Sequence, residues 1–332
     1  MRIDVHSHYR SPRFMETLTQ LGAFEEIEVY RMMKEQTLRP RDEATRRHDE
    51  DVSERIADMD AGGVDLQVLS LGGGQPYFPD AEKAVIASRV SNDDFSELMR
   101  QHPTRLNAFG TVPLPHVDET LAEIERCLDE LSFLGINLGC SAEGITLDDA
   151  RLAPVWEELD RRGAVVYIHP GASVGSITGA EQFHLGPDFV SPSEIAITAA
   201  RLVVTGMLDR YPNVKIILAT LGGALPFLAG RYDHGLRQEY PELHAELGGF
   251  PRNLRRFYYD TSVLEEPEAL RLASERFGAD RLMLGSDFPR DGSSATAAVS
   301  YVAESQYLDS DQKVAILDRN AEALLTGLLV SE

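Results

Sequence analysis

Cysteine, basic side chains and long apolar runs are all scarce in this sequence. Its two cysteines, Cys127 and Cys140, have no CxxC spacing, so we expect core residues and neither a disulfide nor a thiolate metal site. The 54 acidic residues outnumber the 32 basic ones and give a net charge of −22. This charge argues against a nucleic-acid partner, because phosphates require a basic protein face.

Two further absences narrow the class of protein. The apolar runs are too short to span a bilayer, and the N-terminus carries no signal-peptide core, so we expect no membrane partner and a cytoplasmic location. No GxGxxG follows the first apolar run, which removes the main indication of a dinucleotide-binding fold. The 332 residues, 43% of them hydrophobic, show no linker, and residues 1–332 are predicted to form one domain.

The dominant pattern is an alternation of short apolar runs with helical segments. Such runs are typical of parallel strands covered by helices on both faces, and eight of them favour a (β/α)8 TIM barrel over an open sheet. An inserted segment follows the first strand over about residues 9–50, and we expect it to act as a partly helical lid. The predicted strands are residues 3–8, 64–71, 106–112, 135–139, 164–168, 214–219, 257–259 and 282–284.

Metal-ligating side chains stand where three of these strands end. His6 and His8 are two residues apart at the end of the first strand, so both point to the same side. His169 ends the fifth run and Asp287 follows the eighth. Since the carboxyl ends of barrel strands surround one active site, these residues are predicted to bind one divalent ion. Zinc is the first expectation and manganese the alternative, because nitrogen and oxygen donors accept both.

Several motifs in order resemble the amidohydrolase superfamily, and within it the subgroup typified by 2-amino-3-carboxymuconate 6-semialdehyde decarboxylase. The resemblance implies that His6, His8, His169 and Asp287 are the metal ligands. It also implies a small anionic substrate and a homodimer. The motifs are Asp4-Val5-His6-Ser7-His8, Ile168-His169-Pro170, Tyr211-Pro212-Asn213-Val214-Lys215, Gly222-Gly223-Ala224-Leu225-Pro226-Phe227, Gly230-Arg231 and Leu284-Gly285-Ser286-Asp287-Phe288-Pro289.

One position departs from the subgroup pattern. Thr220 stands where the subgroup has a histidine after the sixth strand, and a threonine hydroxyl does not act as a base near neutral pH. Another group could supply that function, the chemistry could differ, or activity could be lost. Asp287 is the first candidate for the acid or base, followed by His184 in the loop after the fifth strand. His234, in the helix after the sixth strand, is a candidate for this role or for a substrate contact, with a structural role as the alternative.

Candidates for substrate recognition are arginines and aromatic residues near the predicted opening of the barrel. An arginine fork suits a carboxylate, which points to Arg46 or Arg47 in the insertion and to Arg231 after the sixth strand. The resemblance allows Arg231 to act from a neighbouring subunit. Tyr77 and Phe78, after the second strand, could form a wall against an aromatic or unsaturated substrate. Solvated charges and ordinary packing are the alternatives for these residues.

Three functions remain open from the sequence. The first is a divalent-metal-dependent decarboxylase of a small aromatic or unsaturated acid, in which Asp287 delivers a proton to carbon. The second is a metal-dependent hydrolase of a lactone, amide or ester, in which Asp287 is the base; Thr220 favours it. The third is a metal-bearing binding protein without turnover.

Overall fold

The computed structural model describes residues 1–31, 52–171, 177–180, 183–263, 266–290, 293–325 and 327. Within these residues, eight parallel strands form one sheet in sequential order, which confirms the predicted (β/α)8 barrel. The strands are β1 Ile3–His8, β2 Leu66–Ser70, β3 Leu106–Thr111, β4 Gly135–Gly139, β5 Val165–His169, β6 Lys215–Leu218, β7 Tyr258–Asp260 and β8 Leu282–Met283.

The barrel closes between β1 and the segment that follows β8. Ser7 and Phe288 form a parallel bridge. The His8 N–H donates to the Phe288 carbonyl at 2.7 Å, and the Asp287 N–H donates to the His6 carbonyl at 2.8 Å. The seam therefore fixes the ends of the first and last strands side by side.

Helices cover the outside of the sheet. Within the described residues, three π-helical segments, Arg126–Glu130, Gly186–Val190 and Ala315–Arg319, adjoin α-helices. Two short strands, Ser141–Ala142 and Ile145–Thr146, form a hairpin after β4. The α-helices cover Pro12–Leu21, Ala23–Glu26, Val52–Gly62, Ala81–Gln101, Val117–Glu125, Ala153–Arg162, Ser191–Val204, Met207–Arg210, Leu225–Glu239, Pro241–Leu247, Phe250–Leu254, Pro267–Phe277, Ala295–Ala303, Ser310–Val314 and Asn320–Leu325.

The strands are almost entirely buried, as their apolar composition predicts. The rings of Phe109 on β3 and Tyr167 on β5 stack at 5.4 Å inside this core. Both cysteines, Cys127 and Cys140, are buried and unpaired, in agreement with their predicted role as core residues. Burying this apolar surface supplies most of the stability of the barrel.

Two expectations concern parts of the chain around the barrel. The first part of the predicted insertion, residues 9–31, contains two helices, whereas residues 32–51 lie outside the described residues. The lid and the single domain therefore stay predictions. Among the described helices, none combines the length and the apolar composition that crossing a membrane requires.

Gly223 is predicted to be a position where a side chain is not tolerated. Its φ is +62°, and an added Cβ would lie 2.0 Å from the Pro192 carbonyl oxygen. Gly144 has a similar φ of +74° but open space around it. Gly144→Ala should therefore lower the free energy of unfolding by about 1–2 kcal/mol through backbone strain alone. Gly223→Ala should lower it by roughly 1–3 kcal/mol more, because the Pro192 backbone must move.

Equilibrium urea denaturation of both variants measures this difference. Equal losses of stability would show that the contact with Pro192 relaxes at no cost.

Candidate metal centre

The four predicted ligands converge at the carboxyl ends of the barrel strands. His6, His8, His169 and Asp287 each offer a ligand atom, and these atoms lie within 4.8 Å of one another. The Nε2 atoms of His6 and His8 are 3.1 Å apart, and Asp287 Oδ1 lies 3.0 Å from His8 Nε2 and 3.3 Å from His6 Nε2. A metal-binding site is therefore present, as the strand ends predict.

The spacing and the orientation of the donors fit a bound divalent ion. Bonds of about 2.0–2.2 Å place neighbouring ligand atoms roughly 3 Å apart, and the ligand atoms of His6, His8 and Asp287 lie 3.0–3.3 Å from one another. His6 Nδ1 pairs with Asp260 Oδ2 at 3.0 Å, and His169 Nδ1 pairs with the Pro170 carbonyl at 2.7 Å. Asp260 and the Pro170 carbonyl each accept a hydrogen bond from an Nδ1–H group. The Nε2 atom of each ring therefore keeps the lone pair that can bind a metal ion.

Asp260, at the end of β7, is a functional residue that the sequence reasoning missed. Its fully buried carboxylate accepts hydrogen bonds from His6 Nδ1, from the Tyr167 hydroxyl at 3.1 Å and from the Thr220 and Ser262 N–H groups at 3.0 Å. It thus orients His6 and increases its basicity. The signal was available, because Asp260 directly follows the apolar run 257–259.

Burial and neighbouring charges set the protonation of the centre. Burial alone would lower the pKa of His6, but the carboxylates of Asp260 and Asp287 outweigh it and raise that pKa to about 10. Burial lowers the pKa of His8 to about 4. Burial and the two neighbouring imidazoles hold the pKa of His169 well below its usual range. Without a metal, His6 carries a proton between two carboxylates, and binding a divalent ion there requires its release.

Asp287 is held in an unusual backbone conformation. Burial would raise the pKa of its carboxyl group, but His6 and His8 hold that pKa well below its usual range. Its φ is +59°, a left-handed conformation that costs energy for a residue with a Cβ. This conformation lets the Asp287 N–H complete the barrel seam while the carboxylate turns toward the imidazoles.

Thr220 lies beside the centre, in the turn Thr220–Gly222. Its φ is +56°, and its N–H donates to Asp260 Oδ1. The position therefore supports the centre through its backbone, and the part of Thr220 in a chemistry that differs from the subgroup's stays a prediction.

His184 is linked to the centre through two other side chains. Its Nδ1 pairs with Asp188 at 3.0 Å, Asp188 pairs with Arg290 at 2.8 Å, and Arg290 lies 3.3 Å from Asp287 Oδ2. His184 is therefore two side chains removed from a metal ligand. Sequence reasoning missed Arg290, although it follows Asp287 by three residues.

Tyr77 lines a cavity of about 390 Å³ whose wall also includes Gly73, Gln75 and Gly171. None of the four ligands lines this cavity. It adjoins the centre through Gly73, which packs against Pro170 and follows Gly72, and Gly72 packs against the His8 ring. The Tyr77 hydroxyl accepts a hydrogen bond from the Gly139 N–H at 3.0 Å. Phe78 is fully buried and is not part of the lining. Tyr77 is thus placed where a substrate ring could contact it.

Arg231 and His234 have no contact with the four ligands among the described residues. Arg231 lines a separate surface groove of about 420 Å³, and the exposed His234 pairs with Arg237 at 3.3 Å. Arg46 and Arg47 lie outside the described residues. Within one chain, the structure therefore brings neither Arg231 nor His234 to the metal centre.

We predict that Asp260→Asn weakens metal binding roughly 10- to 100-fold, because the charge that orients His6 is lost. Tyr167→Phe, which removes one hydrogen bond to Asp260 and keeps the ring stack on Phe109, should cause a smaller loss. Competition with a chelator gives the dissociation constants for Zn²⁺ and Mn²⁺. An unchanged affinity in Asp260→Asn would show that Asp260 does not support the centre.

The comparisons with known proteins agree with this centre. Residues 3–326 match the amidohydrolase family. A 2-amino-3-carboxymuconate-6-semialdehyde decarboxylase from Dictyostelium discoideum is 31% identical over 240 residues, which span 71% of this chain. The match covers 66% of that protein, just under two thirds of its length. A gamma-resorcylate decarboxylase from Rhizobium sp. (strain MTP-10005) is 31% identical over 250 residues, which span 71% of this chain and 76% of that protein.

A solved structure extends the likeness to the whole barrel. It is a dihydroxybenzoic acid decarboxylase from Polaromonas sp. JS666 with bound manganese and the inhibitor 2-nitroresorcinol. Its TM-score is 0.77 at 25% identity, and the match covers 98% of this chain and 96% of that chain. The match over residues 3–326, the convergent ligands and these relatives lead to one conclusion: the chain belongs to the amidohydrolase family.

Proposed function

We propose that this protein is a divalent-metal-dependent decarboxylase of a small aromatic acid. The observation that carries the proposal is the cluster of three imidazoles and one carboxylate, in a chain 31% identical to a gamma-resorcylate decarboxylase over 76% of that relative. The names of the gamma-resorcylate relatives indicate a substrate with a carboxylate on an aromatic ring, and the cavity of about 390 Å³ that Tyr77 lines is large enough for such a ring.

The identity of the ion belongs to the same proposal. Three imidazoles and one carboxylate suit zinc, whereas the Polaromonas relative holds manganese. We propose zinc as the resident ion with manganese as the alternative, to be decided by metal analysis of the purified protein. When bound, either ion supplies Lewis-acid stabilisation of negative charge on a substrate oxygen.

Asp287 is the proposed proton carrier. Its Oδ1 faces His6 and His8, so Oδ2 is the oxygen that can carry a proton to the ring carbon that holds the carboxylate. Protonation of that carbon allows the carbon–carbon bond to break, its electron pair returns to the ring, and carbon dioxide leaves. Because His6 and His8 hold the pKa of Asp287 well below its usual range, the carboxylate must first take up a proton from water before it delivers one to the ring carbon.

Hydrolysis of a lactone, amide or ester remains the second candidate, because Thr220 replaces a histidine that the subgroup uses. In that reaction Asp287 would instead accept a proton, and acid would be produced without carbon dioxide. The product of the reaction therefore separates the two candidates.

We also propose that the protein is a homodimer that uses the groove around Arg231. Phe227 and Tyr240, which flank it on the helix Leu225–Glu239 and just beyond, are 79% and 63% exposed. Large exposed apolar side chains beside an arginine are typical of interface centres. A second copy seated there would cover these rings and give Arg231 a partner.

The first test is carbon dioxide release from 2,6-dihydroxybenzoate and related aromatic acids by the metal-loaded protein. His169→Ala should lose both the metal and the activity, since it removes one of four ligands. His102→Ala, at the end of an outer helix, is the matched histidine control and should keep both. Elemental analysis and mass spectrometry of released carbon dioxide give the two readouts.

Two results would contradict the proposal. Carbon dioxide release by metal-free His169→Ala would remove the metal from the mechanism. Acid production from lactones without carbon dioxide release from any acid would favour the hydrolase.

Sedimentation velocity tests the dimer. The wild type should sediment with twice the mass of one chain, and Phe227→Glu should raise the dimer dissociation constant at least about tenfold, because a charge enters the apolar contact. Ile86→Glu changes an exposed apolar residue on another helix and should leave the dimer intact. A monomeric wild type would refute the assembly.

A further inference from the structure

Arg290 places a positive charge at the edge of the metal centre. Its Nη1 lies 3.3 Å from Asp287 Oδ2 and its Nη2 lies 2.8 Å from Asp188 Oδ1. The side chain is 41% exposed, whereas that of Asp287 is 12% exposed. Arg290 therefore reaches from solvent to the carboxylate of a metal ligand.

The turn around Arg290 fixes this position. The Arg290 N–H donates to the Asp287 carbonyl at 2.9 Å, and the Ser293 hydroxyl donates to the same carbonyl at 2.9 Å. Asp188 holds the guanidinium from the opposite side. A guanidinium has five N–H donors, and the contacts within the described residues occupy two of its nitrogens, so a face remains for an incoming anion.

The overall charge makes such a cation necessary. A net charge of −22 opposes the approach of an anionic substrate, and a local positive charge is needed to overcome it. Arg55 also lies close to the centre, but it is fully buried and donates to the His8 carbonyl, so it cannot meet a ligand. Arg231 lies in its own groove. Arg290 combines exposure with contact to a ligand of the centre.

The geometry points to Arg290 as the residue that binds the carboxylate of the substrate, which rests on the proposed decarboxylase function. A guanidinium fork pairs with a carboxylate through two parallel hydrogen bonds. Because Arg290 lies beside Asp287 Oδ2, a carboxylate held there brings its ring carbon toward the oxygen that carries the proton. Arg290 would thus set both the affinity for acids and the orientation of the ring.

The experiment compares benzoate with benzamide, which share a ring and differ in the charge of the substituent. Calorimetry on metal-loaded protein gives both dissociation constants without any turnover. Arg290→Gln should weaken benzoate binding roughly 10- to 100-fold, as expected for a lost charge-assisted hydrogen bond, and leave benzamide binding unchanged. Arg290→Lys, which keeps the charge and loses the fork, should lie between the two.

Arg162→Gln is the matched control. Arg162 also contacts two carboxylates, Asp129 at 2.7 Å and Glu158, but it lies before β5, at the opposite end of the barrel from His169. Its loss should not change either dissociation constant. Metal content is measured for every variant, and unchanged benzamide binding shows that the centre is intact.

Three results would overturn the assignment: a wild type that does not prefer benzoate, an Arg290→Gln variant with unchanged benzoate binding, or an equal loss for both ligands. The assignment and the proposed function fail separately. Arg290-dependent benzoate binding without carbon dioxide release from any aromatic acid would refute the decarboxylase and keep the carboxylate site. Carbon dioxide release with a KM that does not depend on Arg290 would refute the carboxylate site and keep the decarboxylase.

Discussion

The backbone hydrogen bonds that close the barrel between β1 and the segment after β8 are the constraint on which the metal centre depends. The Asp287 N–H donates to the His6 carbonyl, and the His8 N–H donates to the Phe288 carbonyl. These bonds join residues about 280 positions apart in the sequence and fix the register of the two segments. Because Asp287 and His8 are both N–H donors in the seam and ligands of the centre, the same bonds that complete the sheet place the Asp287 carboxylate against two imidazoles.

A buried polar network supports the seam from below. Asp4 accepts hydrogen bonds from the Ser286 hydroxyl at 2.6 Å and from Gln67 at 2.7 Å. Arg55 donates to Gln67 and to the His8 carbonyl, both at 2.6 Å. Burial raises the pKa of Asp4, and buried charges are tolerated only when they are hydrogen-bonded and balanced. Gln67 joins the carboxylate to the guanidinium, so strands β1, β2 and β8 are tied together beneath the metal ligands.

The barrel and the four ligands could be predicted from the sequence because both follow from where apolar runs end. His6 lies near the end of β1, His169 ends β5 and Asp287 follows β8. The topology of a parallel barrel brings strand ends together whatever their separation in sequence. Asp260 and Arg290 act through contacts with other side chains, and such contacts depend on rotamers and on turns such as the left-handed one at Asp287. Such contacts leave no periodic pattern of residues in a single sequence from which they could be predicted. The predicted Arg47 lies outside the described residues.

The number of protons in each reaction favours decarboxylation at this centre. Hydrolysis removes a proton from water and delivers one to the leaving group, whereas decarboxylation requires one delivery to carbon. Asp260 already accepts four hydrogen bonds, and Thr220 contributes its backbone N–H to one of them. Among the described residues that surround the centre, Oδ2 of Asp287 is the carboxylate oxygen that is not paired with the imidazoles; it lies 3.3 Å from Arg290 Nη1 and is the oxygen proposed to carry the proton. Delivery of one proton to carbon needs only Asp287, whereas a second transfer needs a further acid or base that Thr220 does not provide, so the residue that left hydrolysis open from the sequence alone weighs against it once the contacts of the centre are known.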